Sequence, residues 1–223
     1  LADGTIEITK YLGQAEEVII PAGVSRIGDK TFQTCQDLRS VTIPEGVIHI
    51  GDYAFWDCNR LKTVNIPLSL TSIGENPFGA CDSLEQLEVP ANHALMEMVD
   101  GVLFDKANQR LVCYPYTATA ASYRIPTGTA RIGDYAFAFC TDLLEVDIPK
   151  GVTRIGARTF LSCKKLKEVV LPDGLTHIGT RAFAQCENMT TLVIPASVIS
   201  IGENAFYFCE NLVSVIIPSS VTR

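Results

Sequence analysis

Apolar residues return along this chain in columns spaced 23 residues apart. An Ile-Gly pair occurs in each repeat, a Phe follows four residues after the Gly, and a Cys follows three residues after the Phe. Successive Ile-Gly pairs are 23 residues apart, except the third and fourth, which are 59 apart. Three coincident columns at one period predict a repeat architecture. The columns are Gly28, Gly51, Gly74, Gly133, Gly156, Gly179 and Gly202; Phe32, Phe55, Phe78, Phe137, Phe160, Phe183 and Phe206; and Cys35, Cys58, Cys81, Cys140, Cys163, Cys186 and Cys209.

The pattern within one repeat predicts a short strand followed by a tight turn. In the second repeat, Val41 and Ile43 alternate with polar residues and are β-branched, which favours a strand with both side chains facing inward. Pro44 cannot donate to a ladder, so it ends the strand. The segment Asp-Tyr-Ala-Phe at 52–55 suits a single helical turn, with Asp52 placed to cap it.

One such repeat is too small to bury its own apolar face, so the repeats must stack into a continuous core. The predicted fold is therefore a solenoid of the leucine-rich-repeat type, with parallel strands, short helical turns and a 23-residue period. We expect an N-terminal cap strand over residues 1–17, repeats over 18–90, an irregular insert over 91–125, and repeats again over 126–223.

The insert is predicted to contain one β-hairpin. Val102 to Phe104 and Leu111 to Tyr114 are apolar runs, and they flank a polar turn from Asp105 to Arg110. At the other end of the chain, Arg223 lies just before the position where the next Ile-Gly pair is due. Because a solenoid end needs a polar cover, we expect a C-terminal truncation, through trimming or because the parent protein is longer.

Composition narrows the classes of partner. Of the 223 residues, 47% are apolar and 19% are charged, which provides a core and shows no sign of disorder. The formal net charge of −7 argues against nucleic acid or an anionic membrane surface as the main partner. No run of 18 apolar residues is present, so no membrane span is expected. The chain begins at Leu1 rather than Met, which leaves a removed signal peptide open.

The reactive residue types favour a structural role over a catalytic one. Seven of the eight cysteines occupy one repeat column, so we expect reduced thiols packed in the core. Cys113 is out of phase and is either buried in the hairpin or exposed. His49 and His177 share a variable column and have no nucleophile or carboxylate placed beside them. No catalytic residue, metal site or cofactor is predicted.

Two sets of residues are candidates for binding. The outward position between the two inward strand residues changes from polar to apolar along the chain, which makes Val170, Val193 and Ile216 the first candidates, together with Val213 three residues before Ile216. The alternatives for this set are a covering segment or neighbouring molecule, or ordinary exposure. Aromatic residues near the Phe-x-x-Cys turn form the second set, and their alternative is packing between repeats. This second set is Tyr53, Trp56, Tyr135 and Phe139.

The repeat resembles the BspA-type leucine-rich repeats of bacterial surface proteins. The resemblance rests on the 23-residue unit, read here as Leu-x-x-Val-x-Ile-Pro, Ile-Gly, Ala-Phe and Cys, and it covers about residues 18–223. It implies an exported, non-enzymatic protein that binds a protein or cell-surface ligand, or mediates adhesion, outside the cell. The alternatives are a structural spacer within a larger surface protein and a carbohydrate-binding domain.

Overall fold

The computed structural model describes residues 4–115 and 118–222, so residues 1–3, 116–117 and 223 of the predicted segments lie outside it. The chain divides into two compact units. The first comprises the described residues up to 107, together with residue 115. The second comprises residues 108–114 and the described residues from 118 onward.

The first unit is a solenoid whose rungs each contribute strands to two parallel sheets. One sheet has the order β1-β3-β5-β7 and the other β2-β4-β6-β8. Neighbouring strands pair one repeat apart, as in Val41 with Val64. The strands are β1 (Ile6–Ile8), β2 (Glu17–Ile19), β3 (Val24–Ile27), β4 (Ser40–Thr42), β5 (His49–Ile50), β6 (Thr63–Asn65), β7 (Ser72–Ile73), β8 (Gln86–Glu88), β9 (Met96–Val99) and β10 (Val102–Asp105).

The second unit continues the same parallel pattern. Strands β11, β13, β15, β17 and β19 lie side by side, and the other strands of these rungs form a three-stranded sheet, β12-β14-β16, and a two-stranded sheet, β18-β20. The strands are β11 (Arg110–Cys113), β12 (Ser122–Arg124), β13 (Arg131–Ile132), β14 (Glu145–Asp147), β15 (Arg154–Ile155), β16 (Glu168–Val170), β17 (His177–Ile178), β18 (Thr191–Val193), β19 (Ser200–Ile201) and β20 (Ser214–Ile216). The predicted parallel-strand solenoid is confirmed.

An antiparallel hairpin lies in the predicted insert, within the first unit. Strand β9 pairs with β10, with Val99 opposite Val102. The turn between them places Asp100 and Gly101 at φ 50° and 80°, and an Asp-Gly pair with both φ values positive is typical of a tight hairpin turn. The Asp-Gly pair signals this turn in the sequence, but strand β9 was not predicted from it. In the second unit, β11 pairs in parallel with β13, so this segment forms a rung of the solenoid.

The core is built from the repeat columns. Val41 and Ile43 are 3% and 1% exposed, which confirms their inward direction. In the second unit the rings of Phe137, Phe160 and Phe183 stack with centroids 5.2 Å apart at each step. Each column thus repeats one residue type because every rung presents the same site to its neighbour.

The turn after each Gly is not helical, so the prediction of short helical turns is wrong. Among the described residues there is no helix. In the second repeat, Tyr53 and Asp57 have φ of 55° and 60°. The backbone N–H groups of Tyr53, Phe55 and Asp57 donate to carbonyls of the next repeat at 2.7–3.0 Å. Left-handed residues turn every second N–H toward the neighbouring rung, and a helix would direct those groups along its own axis instead.

The prediction that Asp52 caps a helical turn is also wrong. Its carboxylate oxygen accepts the backbone N–H of Glu75, one repeat away, at 2.8 Å. Asp29 does the same for the N–H of Asp52 at 2.8 Å, and Asp134 accepts the N–H of Ala157 at 2.7 Å. These aspartates therefore link one rung to the next rather than capping a turn of their own.

Candidate protein-binding surface

The first set of candidate residues lies on the outward face of β16, β18 and β20 in the second unit. Val170, Val193 and Ile216 are 69%, 79% and 80% exposed. Val193 and Ile216 are register partners, and Val170 occupies the same position of the preceding rung. Neighbouring strands are about 4.8 Å apart, so these side chains form one apolar stripe. Val213, just before β20, is 86% exposed beside it.

A shallow groove of about 220 Å³ runs between β16 and β18. The hydrogen-bonded ladder is interrupted here, because β16 closes a three-stranded sheet and β18 opens a two-stranded one. Val170 and Val193 line the groove together with Pro195. The groove therefore lies within the apolar stripe, between Val170 and Val193.

The groove is acidic at its rim. Glu168 and Asp173 also line it, and both are exposed. In contrast, Asp147 on β14 forms an ion pair with Arg124 at 3.0 Å. The stripe therefore offers apolar contact at its centre and carboxylates at its edge, which is the arrangement of an apolar interface core with a polar rim.

The second set of candidates is divided between the two units. In the first unit, the rings of Tyr53 and Trp56 meet edge to face at 5.6 Å, and both side chains are half-buried. A Cβ built on Gly79 would overlap the ring of Trp56, so this indole covers the next repeat. Trp56 thus packs between repeats.

In the second unit, Tyr135 and Phe139 lie in one turn. The guanidinium carbon of Arg158 lies 5.4 Å from the centroid of the Tyr135 ring, a cation–π distance. Phe139 is 42% exposed. Tyr207 and Phe208, in the turn after Gly202, are 48% and 54% exposed, and their rings meet at 4.4 Å.

The cysteines form a structural ladder. The thiol of Cys58 donates to the carbonyl of Phe32 at 3.0 Å, and Cys163 donates to Phe137 at 3.0 Å. All eight cysteines are free. Burial raises the pKa of Cys58 to about 12 and that of Cys113 to about 12. Cys113 is 4% exposed, which decides for the buried alternative. Protonated thiols of this kind are poor nucleophiles.

Nδ1 of His49 lies 2.8 Å from the hydroxyl of Ser72, a partner that the sequence pattern did not indicate, and Nδ1 of His177 lies 2.8 Å from the hydroxyl of Thr176. His93 bonds to the backbone instead. In the first unit, Nδ1 of the buried His93 accepts the N–H groups of Leu95 and Met96 at 3.1 and 3.0 Å. Its Nε2 therefore carries the proton and donates to the carbonyl of Pro67 at 3.1 Å. Among residues 4–115 and 118–222 there is no group of three or more His, Cys, Asp or Glu side chains that could hold a metal ion. No side-chain motif marks this role of His93 in the sequence, because its partners are backbone atoms.

The profile of the BspA type leucine rich repeat region matches residues 10–109 and 110–223, in six copies. The chain belongs to the BspA-type leucine-rich repeat family. No helix in the described part of this BspA-type chain is long and apolar enough to cross a membrane. A comparison with curated proteins gives no significant match.

Solved structures of bacterial proteins are similar to this BspA-type chain. A leucine rich cell surface protein from Faecalibacterium prausnitzii A2-165 is 25% identical with a TM-score of 0.72, over 100% of this chain and 86% of that one. The pneumococcal vaccine antigen PcpA is 23% identical with a TM-score of 0.76, over 93% of this chain and 62% of that one. A leucine-rich repeat protein from Eubacterium ventriosum is 22% identical with a TM-score of 0.65, over 97% of this chain and 81% of that one.

Proposed function

We propose that this chain is a non-enzymatic binding or adhesion module of the cell surface, which holds a protein partner on the outward face of β16, β18 and β20. The observation that carries the proposal is the exposed apolar stripe of Val170, Val193 and Ile216, at 69–80% exposure. Polar Thr42 occupies the same column in the first unit, so the fold does not require apolar groups there. Exposed contiguous apolar surface marks interaction sites.

A surface location agrees with the relatives. The Faecalibacterium protein is described as a cell surface protein and PcpA as a vaccine antigen. A solenoid suits this role because its outward positions can change without altering the core. The acidic rim of Glu168 and Asp173 favours a partner with apolar side chains flanked by cationic ones.

Val193→Asp tests the proposal, with Thr191→Asp as the matched control on the same strand and the same face. Both positions are exposed, so both variants should unfold at the same denaturant concentration as the wild type. Burying one Val side chain contributes about 1.5–3 kcal/mol, so Val193→Asp should weaken binding by roughly tenfold or more. Thr191→Asp adds the same charge beside the stripe and should have a smaller effect.

Binding is measured with the purified chain against immobilised extracellular-matrix proteins and intact epithelial cells, and self-association by sedimentation. Equal binding by the wild type and Val193→Asp would contradict the assigned surface. A wild-type chain that binds none of these probes and stays monomeric would contradict the binding function and favour the spacer alternative.

A further inference from the structure

Cationic side chains stand in register on the other strand of the same rungs in the second unit. The two arginines Arg131 on β13 and Arg154 on β15 are register partners, and the next residue of their column is His177 on β17. Like charges facing each other on neighbouring strands are destabilising. Ser72 in the first unit and Ser200 in the last rung occupy the same column, so the fold itself does not require cations at this position.

A second cationic column runs beside the first. Arg158 and Arg181 each lie four residues after a residue of the first column, and both have left-handed backbones, with φ of 54° and 55°. The ring of Tyr135 lies beneath Arg158, 5.4 Å from its guanidinium carbon. The backbone N–H of Arg158 donates to the carbonyl of Thr180 at 2.8 Å, which fixes the two turns side by side.

Among the described residues, acidic side chains do not pair with every arginine of this face. Asp134 and Glu203 lie in the turn column between the two cationic columns, and one carboxylate oxygen of Asp134 is occupied by the N–H of Ala157. Within the described residues, Arg154 and Arg181 have no carboxylate at ion-pair distance. Two lysines of the same unit differ in this respect, because Lys164 pairs with Glu187 at 3.0 Å and Lys165 with Asp142 at 2.8 Å.

We propose that this face, formed by Arg131, Arg154, Arg158 and Arg181, binds a linear acidic polysaccharide. Guanidinium groups bind sulfate and carboxylate through two parallel hydrogen bonds. The strand spacing sets the cations about 4.8 Å apart along the solenoid, comparable to the length of one sugar ring in a linear polysaccharide. An extended peptide presents side chains on one side at every second residue, roughly 6.6 Å apart, and fits this spacing less well.

This inference does not rest on the proposed function, because it uses the opposite strands of each rung. Binding of a polyanion would depend on this particular face, because a chain of net charge −7 has no general attraction for polyanions. The test is the salt concentration at which the whole chain elutes from immobilised heparin, with soluble polygalacturonate and poly-L-glutamate as competitors.

The test variant is Arg154→Gln with Arg181→Gln, and the matched control is Lys164→Gln with Lys165→Gln, which removes the same charge from ion-paired positions. We expect the wild type and the control to be retained at about 0.15 M salt, and the arginine variant to bind at least tenfold more weakly. Polygalacturonate should compete better than poly-L-glutamate. Absence of wild-type retention, equal loss in the control, or better competition by poly-L-glutamate would each overturn the proposal.

Discussion

Gly156 lies at the closest approach between two rungs of the second unit. A Cβ built on this residue would lie 2.6 Å from the backbone N of Asp134 and 2.7 Å from the carbonyl carbon of Gly133. Both atoms belong to the neighbouring backbone, so no side chain can rotate away. Gly156→Ala must therefore separate two rungs that are joined by the hydrogen bond from the N–H of Gly156 to the carbonyl of Ile132, 2.9 Å long.

The change in the free energy of unfolding caused by Gly156→Ala is the balance of two opposing effects. Replacing Gly by Ala stabilises a protein by about 0.4–1 kcal/mol where the backbone and the space allow it. Overpacking a well-packed site costs typically 1–3 kcal/mol, and the rigid backbone on both sides puts this site at the upper end. We therefore expect Gly156→Ala to lower the free energy of unfolding by about 2 kcal/mol or more.

Gly174→Ala is the matched control. Its Cβ would lie 3.3 Å from the nearest atom, the carbonyl oxygen of Lys150, and the residue is exposed. The two effects nearly cancel there, so its stability should stay within about 0.5 kcal/mol of the wild type. Urea unfolding followed by far-ultraviolet circular dichroism measures both variants. Equal stability of Gly156→Ala and Gly174→Ala would refute the explanation of the Gly column by close approach of the rungs.

Three further predictions concern the buried ring of Phe160, the buried thiols and the titration of His49. Phe160→Ala removes a ring with no exposed surface and should cost about 3–5 kcal/mol in urea unfolding; a change below 1 kcal/mol would contradict the ring stack. Burial raises the pKa of Cys58 to about 12, so this thiol and the other buried thiols should react with a disulfide reagent far more slowly in the native protein than after unfolding. All eight thiols should react in the unfolded, unreduced protein. A count below eight would reveal disulfides. Burial lowers the pKa of His49, so the unfolded chain binds more protons, and stability should fall as pH drops through about 6.5. His49→Gln should weaken this pH dependence, and an unchanged profile would contradict it.

The sequence by itself determined the solenoid, its period and its inward residues. A stacked repeat places the same position of every rung in the same environment, so a buried position such as Phe160 or Val41 recurs as a column that the chain displays directly. The exposed stripe of Val170, Val193 and Ile216 was predictable for the same reason, since inward and outward positions alternate along a strand.

Only the tertiary structure decided what happens between rungs. The turn at 52–55 was predicted as helical because its own residues allow a helix, but its N–H groups bond to the next rung, a partner 22 residues or more away in the sequence. Asp52 likewise bonds across rungs, and His93 bonds to backbone atoms that no side-chain motif marks. These features depend on contacts between distant segments, which local pattern does not encode.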